Sequence, residues 1–309
     1  MAAPIPLLLK LAAATATGTA ALLSLRHNHR LAVIRSLRRD IHDALVLLRV
    51  CDGRSGETSG APPAILVTGF RGHGKSAFIN TACRALAGES GPLLLRSVTA
   101  PLGFPPATVD RWNVRVAVAG SGGGCEEHKV AVDECVAVEL IDAPPLPDPV
   151  AMTLGDVEAA FDVGSGRGER LPECVVLVLR CNQPAMERHL SVRRVGDIAG
   201  VARDRGLRVV VVLTNRRSLR SRKQAEQLRC EVAVGARTDC VYFIENYTAN
   251  SSAKGGLLKA VRNDFDTHYA ALAIIRQCVE YAGLNRKQLS QKLVSLTALS
   301  NDKSSAAMD

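Results

Sequence analysis

The chain has 309 residues, 47% of them hydrophobic, enough to bury a sizeable core and too apolar for a chain disordered throughout. Its net charge of +9 is concentrated at one end: residues 1–39 hold Lys10, Arg26, Arg30, Arg35, Arg38 and Arg39 with no acid, so 33 of the 39 basic residues remain to face 30 acids. That balance argues against nucleic acid as the partner. Nine cysteines, with no C-x-x-C pair, suit a reducing compartment. Cys125, His128 and Cys135 come closest to a metal cluster but lack a fourth ligand at zinc spacing.

In chain order, residues 1–25 are rich in Ala and Leu and free of acids, and read as a hydrophobic targeting or anchor segment. The expected location is intracellular, either membrane-anchored and facing the cytosol or imported into an organelle. A helix packed on the protein's own domain is the alternative. Residues 26–50 repeat Leu31, Ile34, Leu37, Ile41, Leu45 and Leu48 at spacings of three or four, opposite Arg35, Arg38 and Arg39. Such a helix either covers the core or lies on an anionic membrane surface. The polar residues 51–62 form a linker, and 63–282 the main domain.

That domain opens with AILVT, a buried strand, followed by GFRGHGKS and a segment of helical spacing. The eight residues fit G-x-x-x-x-G-K-[ST], in which backbone N–H groups surround phosphate oxygens and a lysine and a hydroxyl complete the site. Gly69, Arg71, Gly72, His73, Gly74, Lys75, Ser76 and Ala77 are therefore the candidate phosphate-binding residues. Lys75 reaches the outer phosphates and Ser76 holds Mg²⁺. A long proline-containing stretch, residues 88–110, has the character of a functional loop, with Thr99 and Thr108 as candidates to approach the metal. Strands are expected over Trp112 to Ala119 and Val136 to Ile141, with the glycine-rich connection between them a hairpin loop. The second strand ends in Asp142, the candidate partner of Ser76 at the metal and, with Lys75, the candidate catalytic pair.

Apolar runs continue at Cys174 to Leu179, Leu207 to Leu213 and Cys240 to Ile244, separated by helix-like stretches. The alternation predicts an α/β fold, a mainly parallel sheet with helices on both faces, flanked by N- and C-terminal helices. Helical stretches at Gly255 to Tyr281 and Asn285 to Leu299 carry no chemical motif, and residues 283–309 read as a last helix with a disordered tail.

This order of parts resembles the P-loop GTPases, members of the P-loop nucleoside triphosphate hydrolase superfamily, over roughly residues 62–280. The stretches DVEAAFDVGSGRGERLPECVVLVL and FIENYT also resemble the interferon-induced GTPase-like proteins related to the microtubule-aggregate protein. The resemblance implies Mg²⁺ and GTP or GDP as ligands, with ATP left open, and an unidentified protein partner. Two motifs depart from the pattern. D-x-x-G becomes Asp142-Ala143-Pro144-Pro145, and a proline has no N–H to offer a γ-phosphate. N-K-x-D becomes Asn215-Arg216-Arg217-Ser218, leaving Asn215 and Arg216 as base-binding candidates without the carboxylate that accepts two hydrogen bonds from guanine. The expected activity is nucleotide binding with slow or partner-dependent hydrolysis; a non-hydrolysing interaction module and an ATP-binding enzyme of the same superfamily are the alternatives.

Overall fold

Strands covered on both faces need near-continuous apolar sequence, and the chain supplies it. The computed structural model describes residues 5–52, 60–99, 110–119, 136–162, 170–248 and 261–305. In it β1 (Ala64–Thr68), β3 (Ala137–Asp142), β4 (Cys174–Arg180), β5 (Arg208–Thr214) and β6 (Val241–Ile244) run parallel, and β2 (Trp112–Ala117) lies antiparallel on β3. The sheet order is β2-β3-β1-β4-β5-β6. As an edge strand β2 alternates, with Val114 and Val116 turned inward and Trp112, Asn113 and Arg115 exposed. The mainly parallel α/β sheet with terminal helices expected from the sequence is present.

Side chains alternate between two cores. Ile65, Val67, Val176, Val178, Val210 and Val212 pack with α1 (Ile5–Asp52), α2 (Lys75–Ala87) and α6 (Phe265–Ser305). Leu66, Val175, Leu177, Val209 and Val211 pack on the other face with α3 (Leu154–Phe161), α4 (Ala185–Asp204) and α5 (Arg222–Ala236). The chain leaves β1 toward β3 on one side and meets β4 on the other, so the carboxyl end of β1 is the point where the strand order reverses, the usual ligand crevice of such sheets.

The terminal helices differ from the sequence reading in continuity. α1 is one helix through the boundary set at residues 25 and 26, and its stripe Ile34, Ile41 and Leu45 is buried in the protein's own core. α6 is one helix where two were expected, and it continues through residues 301–305, assigned above to the tail. Gly283 does not end it, because its role is packing: a Cβ there would stand 3.0 Å from Leu48 Cδ2, so the missing side chain lets the two helices close up. Arg30 lies over Phe265, Asp40 pairs with Arg276, and Leu48 meets Gly283; α1 and α6 therefore run side by side in the same direction. Among the described residues, no helix is long and apolar enough to cross a membrane.

A buried arginine ties distant segments together. Arg84, 1% exposed, donates from Nε to Asn263 Oδ1 at 2.7 Å, from Nη1 to the Pro92 carbonyl at 2.9 Å, and from Nη2 to the Gly91 and Val261 carbonyls at 3.0 and 2.8 Å. Its guanidinium also sits over the Tyr247 ring. Removing the donors breaks four part-buried hydrogen bonds to a charged group at once. We expect Arg84→Met to lower stability by about 3 kcal/mol or more, read as a drop in the urea midpoint at unchanged m-value; a midpoint like that of the wild type would refute the clamp.

Candidate functional site

The phosphate loop follows β1 directly and depends on glycine. Gly69 has φ +145°, and a Cβ on it would meet the Val178 carbonyl of the neighbouring strand well inside contact distance. Gly72 and Gly74 have φ +71° and +93°, the left-handed region that side chains disfavour. Gly74 precedes α2 without any side-chain cap, so the first-turn N–H groups of the helix are left to the loop's mouth.

The lysine and the metal-site residues converge as expected. Lys75, 7% exposed, donates from Nζ to the Gly69 carbonyl at 3.1 Å and the Phe70 carbonyl at 3.4 Å. Burial lowers its pKa to about 8 against the pull of the nearby Asp142 carboxylate. Ser76 Oγ donates to Asp142 Oδ2 at 2.7 Å, and Asp142 is wholly buried at the end of β3. Ser97 Oγ donates to the same oxygen at 2.5 Å. Two hydroxyls and a carboxylate gathered at one point form an all-oxygen set, the donors a hard cation such as Mg²⁺ takes.

Ser97 occupies the place expected of a threonine. Thr99 is exposed, and Thr108 lies outside the described residues, as does the glycine-rich connection. Ser97 is fixed by Asn80 of α2, whose Oδ1 accepts from the Arg96 and Ser97 amides at 2.7 and 2.9 Å and whose Nδ2 donates to the Ser97 carbonyl at 2.8 Å. The usual signal that apolar residues point inward fails here, since Leu94, Leu95 and Val98 are all exposed.

His73 contributes backbone rather than side chain to the loop. Its imidazole is 3% exposed and packs edge-on to Phe70. Burial first, then the charges of Arg180 and Lys75, hold its pKa down to about 3, so the ring is neutral. Its carbonyl accepts from Thr214 Oγ1 at 3.0 Å, while the Gly74 carbonyl accepts from Asn246 Nδ2 at 3.3 Å. Arg71 and Gly72 are exposed; Ala77, half-buried in the first turn of α2, accepts the Thr81 hydroxyl.

The segment after Asp142 is sewn to the loop. The Ala143 amide donates to the Val67 carbonyl and the Leu146 amide to the Gly69 carbonyl, both at 3.1 Å. Pro144 and Pro145 have no amide hydrogen. Every N–H from residue 143 to 146 is thus either absent or engaged on β1 and the loop.

At the base-site candidates, Asn215 takes left-handed backbone at φ +58° and donates from Nδ2 to Asn182 Oδ1 at 3.1 Å. The Arg216 guanidinium sits over Phe243, and the Ser218 hydroxyl donates back to the Asn215 carbonyl. Glu245 Oε1 accepts from the Arg217 amide at 2.6 Å, joining this turn to the end of β6. Thr214, Glu245 and Asn246 were given no role from the sequence, although Glu245 and Asn246 lie in the FIENYT stretch quoted above; the signal was a polar residue at or just after the end of a parallel apolar strand.

Sheet order, the antiparallel edge strand and the loop between β1 and α2 define a mainly parallel α/β fold built around a phosphate loop. No protein-family model matches the sequence, and no curated protein does. Among solved structures the chain is similar to Toc33 from Arabidopsis thaliana in complex with Mg²⁺ and GMPPNP, at 14% identity and a TM-score of 0.41, covering 78% of this chain and 91% of that one. A dimerization-deficient mutant of Toc33 gives 14% identity, the same coverages and a TM-score of 0.42. The signal recognition particle receptor SRb-GTP/SRX complex from Chaetomium thermophilum gives 15% identity and a TM-score of 0.38, covering 63% of this chain and 95% of that one.

The close approach at Gly69 leads to a direct test. Gly69→Ala combines the clash with Val178 and a strained φ, and should cost about 3 kcal/mol, measured by urea unfolding. Unchanged stability would show that the loop has another route past β4.

Proposed function

We propose that the protein binds a nucleoside triphosphate with Mg²⁺, GTP by preference, and hydrolyses it slowly or only with a partner protein. The observation that carries this reading is the convergence of Lys75, Ser76, Ser97 and Asp142 at the mouth of a glycine-dependent phosphate loop. Lys75 and the loop amides hold the phosphates, and Asn215 and Arg216 border the base. Ser76, Ser97 and Asp142 would hold the metal, which supplies charge neutralisation between phosphate oxygens. GTP is proposed from the layout of the fold and not from an intact base-reading motif. The narrower assignment to the interferon-induced type rests on the two sequence stretches quoted above.

Slow hydrolysis follows from the stapled segment after Asp142. A switch responds to the γ-phosphate through a contact made in the triphosphate state alone, and residues 143–146 have no N–H free to make it. The same observation favours the non-hydrolysing interaction module as the second reading.

Lys75→Ala should abolish nucleotide retention in a protein that unfolds like the wild type; undiminished affinity in the folded variant would sink the proposed site. In the same assay with the wild type, phosphate favours the charged lysine while burial sets its pKa near 8. Nucleotide binding should therefore take up a proton, and affinity should fall as pH rises through about 8, approaching tenfold per unit. A flat profile between pH 7 and 9.5 would show either that the free protein does not hold Lys75 near 8 or that Lys75 does not face the phosphates, and the Lys75→Ala result separates the two.

GDP and a non-hydrolysable GTP analogue should bind within about tenfold of each other, 1.4 kcal/mol or less. Single-turnover hydrolysis should be no faster than the slow intrinsic rate of small GTPases. Fluorescence titration and quenched-flow kinetics test the pair. A triphosphate preference far beyond tenfold, or fast unassisted turnover, would mean that another group senses the γ-phosphate.

A further inference from the structure

The turn after β5 lacks the acid that would read guanine, and the structure brings one to it from β6. Ser218 stands at the last position of the motif, and its hydroxyl donates at 2.7 Å to the Asn215 carbonyl of its own turn. Glu245, the first residue after β6, accepts from the Arg217 amide through Oε1 at 2.6 Å, which holds its carboxylate against that turn. It is the single acid among residues 181–184, 215–221 and 245–248, the segments that follow β4, β5 and β6. The next residue, Asn246, donates to the Gly74 carbonyl, so Glu245 lies on the same rim of the sheet as the phosphate loop.

The carboxylate is placed but not used up. Arg216 turns its guanidinium over Phe243, and Glu245 forms no ion pair with any of the described residues. Its Oε2 has no partner among them either, and the side chain is partly exposed. Its charge reaches the Cys181 thiol just beyond β4, and Asn182, next to that thiol, accepts from Asn215 Nδ2 at 3.1 Å. Glu245 is thus close to both sides of the crevice that Asn215 and Arg216 border. Guanine offers two adjacent donors on one edge, N1–H and the 2-amino group, and an ionised carboxylate accepts both side by side. Adenine has an acceptor at N1 and would face the same group unfavourably. We propose that Glu245 is the specificity-determining residue for guanine, supplying from β6 the carboxylate that the turn after β5 lacks. Oε2 and the second lone pair of Oε1 receive the two protons, while the Arg217 amide keeps the carboxylate in place. The assignment rests on the nucleotide site proposed above and goes further by giving base recognition to a residue of another strand.

Titration of the full chain with the diphosphates of guanosine, inosine, xanthosine and adenosine in Mg²⁺ tests it. The wild type should bind guanosine diphosphate about tenfold or more tighter than the inosine compound, which lacks the 2-amino group, and than the adenosine compound. In Glu245→Gln the amide keeps one acceptor and gains a donor, which matches N1–H and the 2-oxo group of xanthine. The variant should therefore bind guanosine diphosphate about tenfold or more weaker than the wild type does, and xanthosine diphosphate about tenfold or more tighter. A damaged fold cannot create affinity for xanthine, so the gain decides the matter even if the variant is less stable. Guanosine diphosphate affinity unchanged by the substitution, or lost with no gain for xanthosine diphosphate, would overturn the assignment. A wild-type preference for adenosine diphosphate would overturn it too, while leaving the phosphate loop as proposed. A wild type that binds none of the four would refute the nucleotide site itself, and the role of Glu245 with it.

Discussion

The passage of the Gly69 backbone beneath the Val178 carbonyl is the constraint on which the site depends. Because no side chain intervenes, the loop can turn immediately at the end of β1 and deliver Lys75 and Ser76 at the start of α2. The turn is then held from the ends of three other strands: Thr214, the last residue of β5, binds the His73 carbonyl, Asn246 after β6 binds the Gly74 carbonyl, and Leu146 beyond β3 binds the Gly69 carbonyl. A loop built mainly of backbone has been given its position by polar side chains and amides from the ends of its neighbours.

Two kinds of polar burial coexist here. Arg84 is surrounded by neutral acceptors at fixed distances and serves to join residues 91–92 to residues 261–263. Lys75 has the loop's own carbonyls and the nearby Asp142 carboxylate, and burial still lowers its pKa, so its charge is less comfortable. A buried cation held below its ordinary pKa is stabilised by an approaching anion more than a well-solvated one would be. The first arrangement suits permanence and the second suits a ligand.

The central fold was legible because parallel strands buried on both faces leave uninterrupted apolar runs, as in CVVLVL and RVVVVL. The phosphate loop was legible because its geometry restricts residue type at fixed spacing. Ser97 was not, since its position is set by Asn80 on another element and Leu94 and Leu95 before it face outward. The continuity of α6 was hidden by Gly283, whose sequence signature is a helix end and whose physical role is contact with Leu48, a residue 235 positions earlier. In both cases the deciding contact joins parts of the chain that no local window contains.

The pairing of α1 with α6 also imposes an order of assembly. Ile41 and Cys278 belong to the same core, yet at roughly 5–20 residues per second their synthesis is separated by about 12–47 seconds. Throughout that interval the helix made first has no finished surface to cover its apolar stripe, and Arg84 has none of its partners from residues 261–263. Until α6 is made, the apolar stripe of α1 lacks its C-terminal partner helix, and loss of α6 would uncover part of the core it shares with α1.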